Sequence, residues 1–163
     1  VIKRSVFTVV IVLFLFGFTS CKKEQKNFST IKIEFKKEGT LKIFKSTSDT
    51  LLAQFDIEIA DSDYETQTGL MHRLAMQKDR AMLFIFSEMK MRAFYMKNTY
   101  ISLDIIYLDD KKRIVSIQKN ADPLNETALP SQFPAQYVLE INAGLSEEMN
   151  ITVGDRMEFS KNK

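Results

Sequence analysis

The side chains with the most chemical capacity are spread along this chain: Arg73, Lys97, Asn98, Asp104, Glu140 and Asn142. Asp104 sits within the apolar stretch Ile101 to Leu108, and Glu140 within Tyr137 to Ile141. A charged side chain inside such a strand is either solvated on an outer face or buried with partners. If the Asp104 and Glu140 carboxylates meet Arg73 and Lys97, the group forms a pocket for an anion or a sugar. Two carboxylates in one cleft could also act as general acid and base. Sequence sets no distance between them, so no reaction is named.

Absences narrow the chemistry. A catalytic zinc needs about three protein ligands, usually including histidine, and the chain has one histidine, His72. Ser-His-Asp catalysis would have to run through it, and its place in a helix beside Met71 and Arg73 reads as surface. Apart from Gly17 near the N-terminus, the four remaining glycines form no phosphate-cradling or dinucleotide loop. Met89 and Met91, with Met82 and Met96 nearby, are the soft ligands that suit copper(I). Met82 and Met96 fall in apolar runs where methionine fills core gaps, so neither a metal nor a cofactor is expected. Basic and aromatic residues interleave from Lys90 to Tyr100, as on a platform for single-stranded nucleic acid. A two-faced strand explains the same pattern.

The N-terminus carries an address. Lys3 and Arg4 precede an apolar run, Val6 to Phe18, interrupted by Thr8 and Gly17, and Thr19-Ser20-Cys21 follows. The run is shorter than the roughly 18 apolar residues of a spanning helix. It resembles bacterial lipoprotein signals, in which a cysteine follows the cleavage point and receives the lipid. Residues 1–20 are therefore expected to be a signal peptide and Cys21, the one cysteine, the lipidated residue. Acylation would leave no thiol for a disulfide or a metal. Of the 23 basic residues, Lys3 and Arg4 leave with the signal and no acid does, so 21 bases face 21 acids. That balance supplies no basic field for nucleic acid.

The elements that must position these residues are mostly strands. Lys22 to Thr30 is a polar tether. Ile31, Ile33 and Phe35 alternate with charges, predicting a strand, Gly39 predicts a turn, and Leu41 to Lys45 a return strand. Phe55, Ile57 and Ile59 alternate again. Ser62 and Glu65 have capping-box spacing for one helix, with Tyr64, Thr68 and Met71 on one face and Gly69 weakening its interior. Met82 to Phe86, Ala93 to Thr99 and Ile101 to Leu108 predict strands. Asp109 to Lys112 predicts a hairpin turn into Arg113 to Gln118. All three prolines lie in a loop over 120–136, a length that is often functional. Tyr137 to Asn142 predicts a strand, Leu145 to Met149 a helical turn, and Gly154-Asp155 a turn into the last strand.

Several of these segments, in this order, resemble one family. They are Gly69-Leu70-Met71-His72-Arg73, Met82-Leu83-Phe84, Met96-Lys97-Asn98-Thr99, Leu103-Asp104-Ile105, the run Tyr137 to Gly144, and Gly154-Asp155. The family is Domain of Unknown Function 192, and the resemblance runs from about Phe55 to Phe159. It implies a compact, mainly β domain, commonly exported, without an agreed activity. It also points to Arg73, Lys97, Asn98, Asp104, Glu140 and Asn142 as positions matching the family's polar motif residues.

The expected architecture is one mainly β domain over 31–163, with an α+β tendency, a sandwich or barrel with one or two short helices. The expected role is a module tethered in the cell envelope, on the periplasmic face or outer membrane. It would bind a small ligand or an envelope protein, but no nucleic acid, in a polar pocket lined by the six residues, with the loop at 120–136 beside its mouth. Its rivals are a carboxylate-based hydrolase of envelope polymers, a copper-handling protein, and an assembly scaffold marked by an exposed apolar patch.

Overall fold

Residues 33–162 are described by a computed structural model. The signal segment expected at 1–20, Cys21, the tether expected at 22–30 and the first two residues of the strand expected at 31–36 lie outside them. The elements begin with β1 (Gly39–Phe44), β2 (Leu51–Ala60), α1 (Asp63–Thr68) and β3 (Arg80–Lys90). After β4 (Ala93–Phe94) come β5 (Leu103–Leu108), β6 (Ile114–Ala121) and β7 (Leu129–Pro130). The chain ends with β8 (Ala135–Asn142), α2 (Leu145–Glu148) and β9 (Arg156–Lys161).

Seven strands form one sheet in the order β6-β5-β8-β3-β2-β1-β9, and β4 pairs with β7 in a second, two-stranded sheet. The β2–β3 pair is parallel, with α1 in its crossover, and the other pairs are antiparallel. The two end strands meet. Ile114 N donates to Asp155 O at 2.8 Å and Met157 N to Lys112 O at 2.9 Å, around an antiparallel bridge between Arg113 and Arg156. The sheet therefore closes at this end into a barrel, which pairs part of both exposed edges. The fold is mainly β with two short helices, as the alternating patterns predict.

Both faces of the central strands are covered. One face lines the barrel, where Leu41, Phe55, Leu83, Ile106, Leu139 and Met157 pack together. The other face, carrying Met82, Phe84, Ile105, Tyr107 and Val138, lies under Leu70, Met96 and the neighbouring connections. All six residues of β5 are buried, which is why its sequence is a continuous apolar run instead of an alternation.

Several local expectations are corrected. Residues 33–38 are not a strand: Ile33 is exposed, and the Glu38 carboxylate accepts the Ile59 amide that a strand partner would have taken. Gly39 is no turn but the first residue of β1, where an added Cβ would lie 2.3 Å from Ser160 O. The capping box at Ser62 and Glu65 forms, yet α1 stops at Thr68, so Met71 and His72 lie beyond it. The strand expected over Ala93–Thr99 is cut to two residues by a turn in which Asn98 takes φ 54°. The long loop is 122–134, and β7 within it pairs with β4.

Candidate functional site

The site is built around Glu140. It lies on β8, between Met82 of β3 and Ile105 of β5, on the face away from the barrel interior. Strand alternation gives that face to Glu140 and the opposite one to Leu139 and Ile141, which belong to the barrel core. Glu140 is 5% exposed, and burial is the only influence on its carboxyl, with no hydrogen bond or charge of the described residues acting on it. Burial pushes that carboxyl up to about 8, so it holds its proton at neutral pH. Burial, with Glu140 nearby, also pushes the Tyr107 hydroxyl above its usual value.

A cavity of about 260 Å³ opens over this carboxyl. Its floor and walls are aromatic, from Phe84, Phe86, Phe94 and Tyr95, and the end of α1 forms the remaining side. The Phe84 and Phe94 rings meet edge to face at 4.9 Å, and Phe94 meets Tyr107 at 6.0 Å. Arg92 closes one end, its guanidinium 3.5 Å from the Phe86 ring centroid and its Nε donating to Ala135 O at 2.8 Å. The loop at 122–134 braces this wall from behind: Ser131 N donates to Arg92 O, and Met96 N to Asn125 O. No residue of that loop lines the cavity. Gly69 makes the α1 side possible. Its φ of 47° and ψ of −129° fall where L side chains are disfavoured, and a Cβ there would stand 3.0 Å from Phe84 Cζ.

A second hollow shares Thr68, Gly69 and Met71 with the first and holds an ion pair. Arg73 Nη1 stands 2.5 Å from Glu58 Oε2, with both side chains largely buried. The contact lacks hydrogen-bond geometry, and Arg73 Nε has no partner among the described residues. The other Glu58 oxygen accepts from Lys36 N at 3.0 Å. Glu58, Met82, Glu140 and Ile105 form one row across four strands. Two strand spacings, roughly 10 Å, separate the Glu58 and Glu140 backbones, with Met82 between them.

The six residues singled out by sequence do not share one pocket. Glu140 lines the aromatic cavity and Arg73 the neighbouring hollow. Asp104, fully buried on the barrel side, accepts from Asn120 N, Ser146 N and Ser146 Oγ at 2.7 to 3.0 Å. Asn142 Nδ2 donates to Met76 O at 2.9 Å, and Asn98 O accepts from His72 N at 2.8 Å. Lys97 is exposed and lines neither hollow. Met89 and Met91 are exposed around the β3–β4 connection, whereas Met82 and Met96 are core. Among the described residues no cluster of three His, Cys, Asp or Glu side chains could hold a metal.

Glu58 escaped the sequence argument because it alternates with Ile57 and Ile59 and so reads as an outward charge. The aromatic walls escaped it because Phe84, Phe86 and Phe94 are indistinguishable from core residues until the chain folds.

Fold and site together define a class: a mainly β domain whose half-closed sheet carries an aromatic-walled cavity on its outer face. The chain belongs to the family DUF192, described as Uncharacterized ACR, which it matches over residues 44–159. A protein of unknown function from Novosphingobium aromaticivorans is 36% identical, with a TM-score of 0.68 over 73% of this chain and 83% of that one. A candidate transcription regulator from Sinorhizobium meliloti is 32% identical, with a TM-score of 0.72 over 78% of this chain and 98% of that one. No curated protein matches the chain.

Proposed function

We propose that this protein is a lipid-anchored module of the cell envelope that binds a small ligand in the cavity over Glu140. The observation that carries the binding half is an unpaired, buried carboxyl at an open, aromatic-walled cavity. A polar group left without a partner costs stability, and a bound ligand offsets that cost. Concave, largely apolar sites with few polar groups are the usual form of small-molecule sites. The anchoring half is supported by the leader and by Cys21.

The hydrolase alternative loses its stated pair, because Asp104 and Glu140 face opposite sides of the sheet. Binding is tested by screening small metabolites and glycans for a rise in unfolding temperature, then repeating each hit with Glu140→Gln. Hits that need Glu140 support the reading, and hits indifferent to it move the site elsewhere. Anchoring is tested by labelling cells with a clickable fatty acid. Label on the wild type and none on Cys21→Ser is the expected result, and equal label on both would overturn it.

A further inference from the structure

Four carboxyls are buried among the described residues: Glu58, Asp104, Glu140 and Asp155. Asp104 accepts from Asn120 N, Ser146 N and Ser146 Oγ. Asp155 accepts from Ser46 N and Thr152 N and pairs with Lys45 Nζ. Glu58 accepts from Lys36 N and faces Arg73. Each of these three is met by donors or a cation and ties distant segments together. Glu140 has neither, and it is the one of the four that lines the aromatic cavity. A carboxylate in water is a weak base because water donates hydrogen bonds to the anion. Phe84, Phe86 and Phe94 cannot replace those bonds, so the Glu140 anion takes up a proton far more readily than a solvated carboxylate does. The same walls suit a planar, largely apolar substrate stacked on the rings. Donors for the charge that such a substrate gains on losing a proton also line the cavity. Arg92 spends Nε on Ala135 O and one Nη2 hydrogen on Glu88 O, which leaves three N–H groups, and the Gln67 amide and Tyr95 hydroxyl are further donors.

We propose that Glu140 is a general base that takes a proton from carbon in a small, planar, conjugated carbonyl compound held in the aromatic cavity. This rests on the ligand-binding role proposed above and goes beyond it. The substrate C–H bond breaks, its proton passes to a Glu140 oxygen, and its electron pair moves onto the neighbouring carbonyl oxygen as an enolate. Return of that proton to another carbon of the enolate completes an isomerisation, so no second reagent is required. Glycoside hydrolysis would call for a second carboxyl, and Glu140 is the one carboxyl among the lining residues.

The reaction carries a pH signature. A base works in its ionised form, and burial alone raises the Glu140 carboxyl, to about 8. Turnover should therefore climb with pH through that value and level off above it. The titratable groups around Glu140 are Tyr107 from β5, Arg92 and Tyr95 on either side of β4 and, beyond Met82, the Glu58–Arg73 pair; α1 presents Thr66, Gln67 and Thr68 to the cavity.

A nitrobenzisoxazole tests this on the full chain in detergent. Loss of its acidic C–H proton to a base breaks the ring N–O bond and releases a coloured cyanophenolate, with no cofactor. The rate is expected to exceed that of an equal concentration of acetate by at least about a hundredfold. Glu140→Gln should abolish it while the NMR spectrum stays that of the folded protein. Glu140→Asp keeps the carboxyl but draws it back by one methylene, and should retain the pH profile at a lower rate. Binding of the probe is followed separately, by NMR shifts of Phe84 and Phe94. A probe that binds but turns over no faster than with acetate, or equally fast with Glu140→Gln, overturns the base assignment and leaves a ligand site standing. If the probe does not bind, each hit from the metabolite screen is incubated in heavy water. Carbon-bound deuterium that depends on Glu140 then supports the assignment, and its absence overturns it. If neither the probe nor any metabolite binds, the ligand-binding role falls and the base assignment falls with it.

Discussion

Asp104 and Glu140 lie on adjacent strands one position out of register, so their carboxyls face opposite sides of the same sheet. Asp104 pairs across with Ile141, in the barrel core, and Ile105 pairs with Glu140. One carboxyl is enclosed by three donors and the other by aromatic rings. The same residue chemistry, a buried acid in an apolar strand, therefore serves two ends: Asp104 ties β5 to the end of β6 and to α2, and Glu140 waits at a cavity.

Asp104→Ala should destabilise the fold by about 2–4 kcal/mol, because it leaves the buried Ser146 amide and hydroxyl without their acceptor. Urea unfolding with an unchanged m-value would measure it. A loss below about 1 kcal/mol would mean that water replaces the carboxylate.

Glu140→Gln should behave differently at each end of the pH scale. The folded carboxyl keeps its proton to about pH 8, against an ordinary value of 4.5. Between those values the folded state binds the extra proton. Its contribution to stability is fully present below pH 4.5 and is lost as pH rises through about 8. The variant has no such loss, so its stability relative to wild type should rise between about pH 5 and about pH 8 and level off above that. Parallel curves for the two proteins would show that Glu140 is ionised in the fold.

Gly69→Ala should cost about 1–3 kcal/mol, since the backbone there is disfavoured for any L side chain. The methyl would also press on Phe84, so the variant should bind cavity ligands more weakly than wild type when both are compared well below their unfolding temperatures. Full stability with full binding would show that the α1 turn can re-form without a glycine.

Arg73→Met should cost about 3–5 kcal/mol by leaving Glu58 buried and unpaired. Adding Glu58→Gln to the same chain should recover most of that loss. A double-mutant cycle by chemical unfolding reads the coupling directly, and additive losses would make the ion pair incidental.

Much of the fold was written locally. The alternation of Phe55, Ile57 and Ile59 marks β2, the Ser62–Glu65 spacing marks the start of α1, and the polar turn Asp109 to Lys112 marks the β5–β6 hairpin. These succeed because each depends on neighbours a few residues apart. The described part of the pattern expected at 31–36 fails because alternation only states that a segment could lie half-buried, and in the fold the Glu38 side chain takes the Ile59 amide instead of a strand.

By itself, then, the sequence determined the β-rich class, most element positions and the family. Tertiary structure decided what each polar residue does. Glu58 and Glu140 become members of one row only when β3 inserts between β2 and β8, and Asp104 parts from Glu140 by a one-residue register. Local periodicity assigns a side chain to one of two faces. Whether that face meets water, a core or a cavity depends on segments distant in sequence that pack over it, and desolvation by those segments gives Glu140 its chemistry.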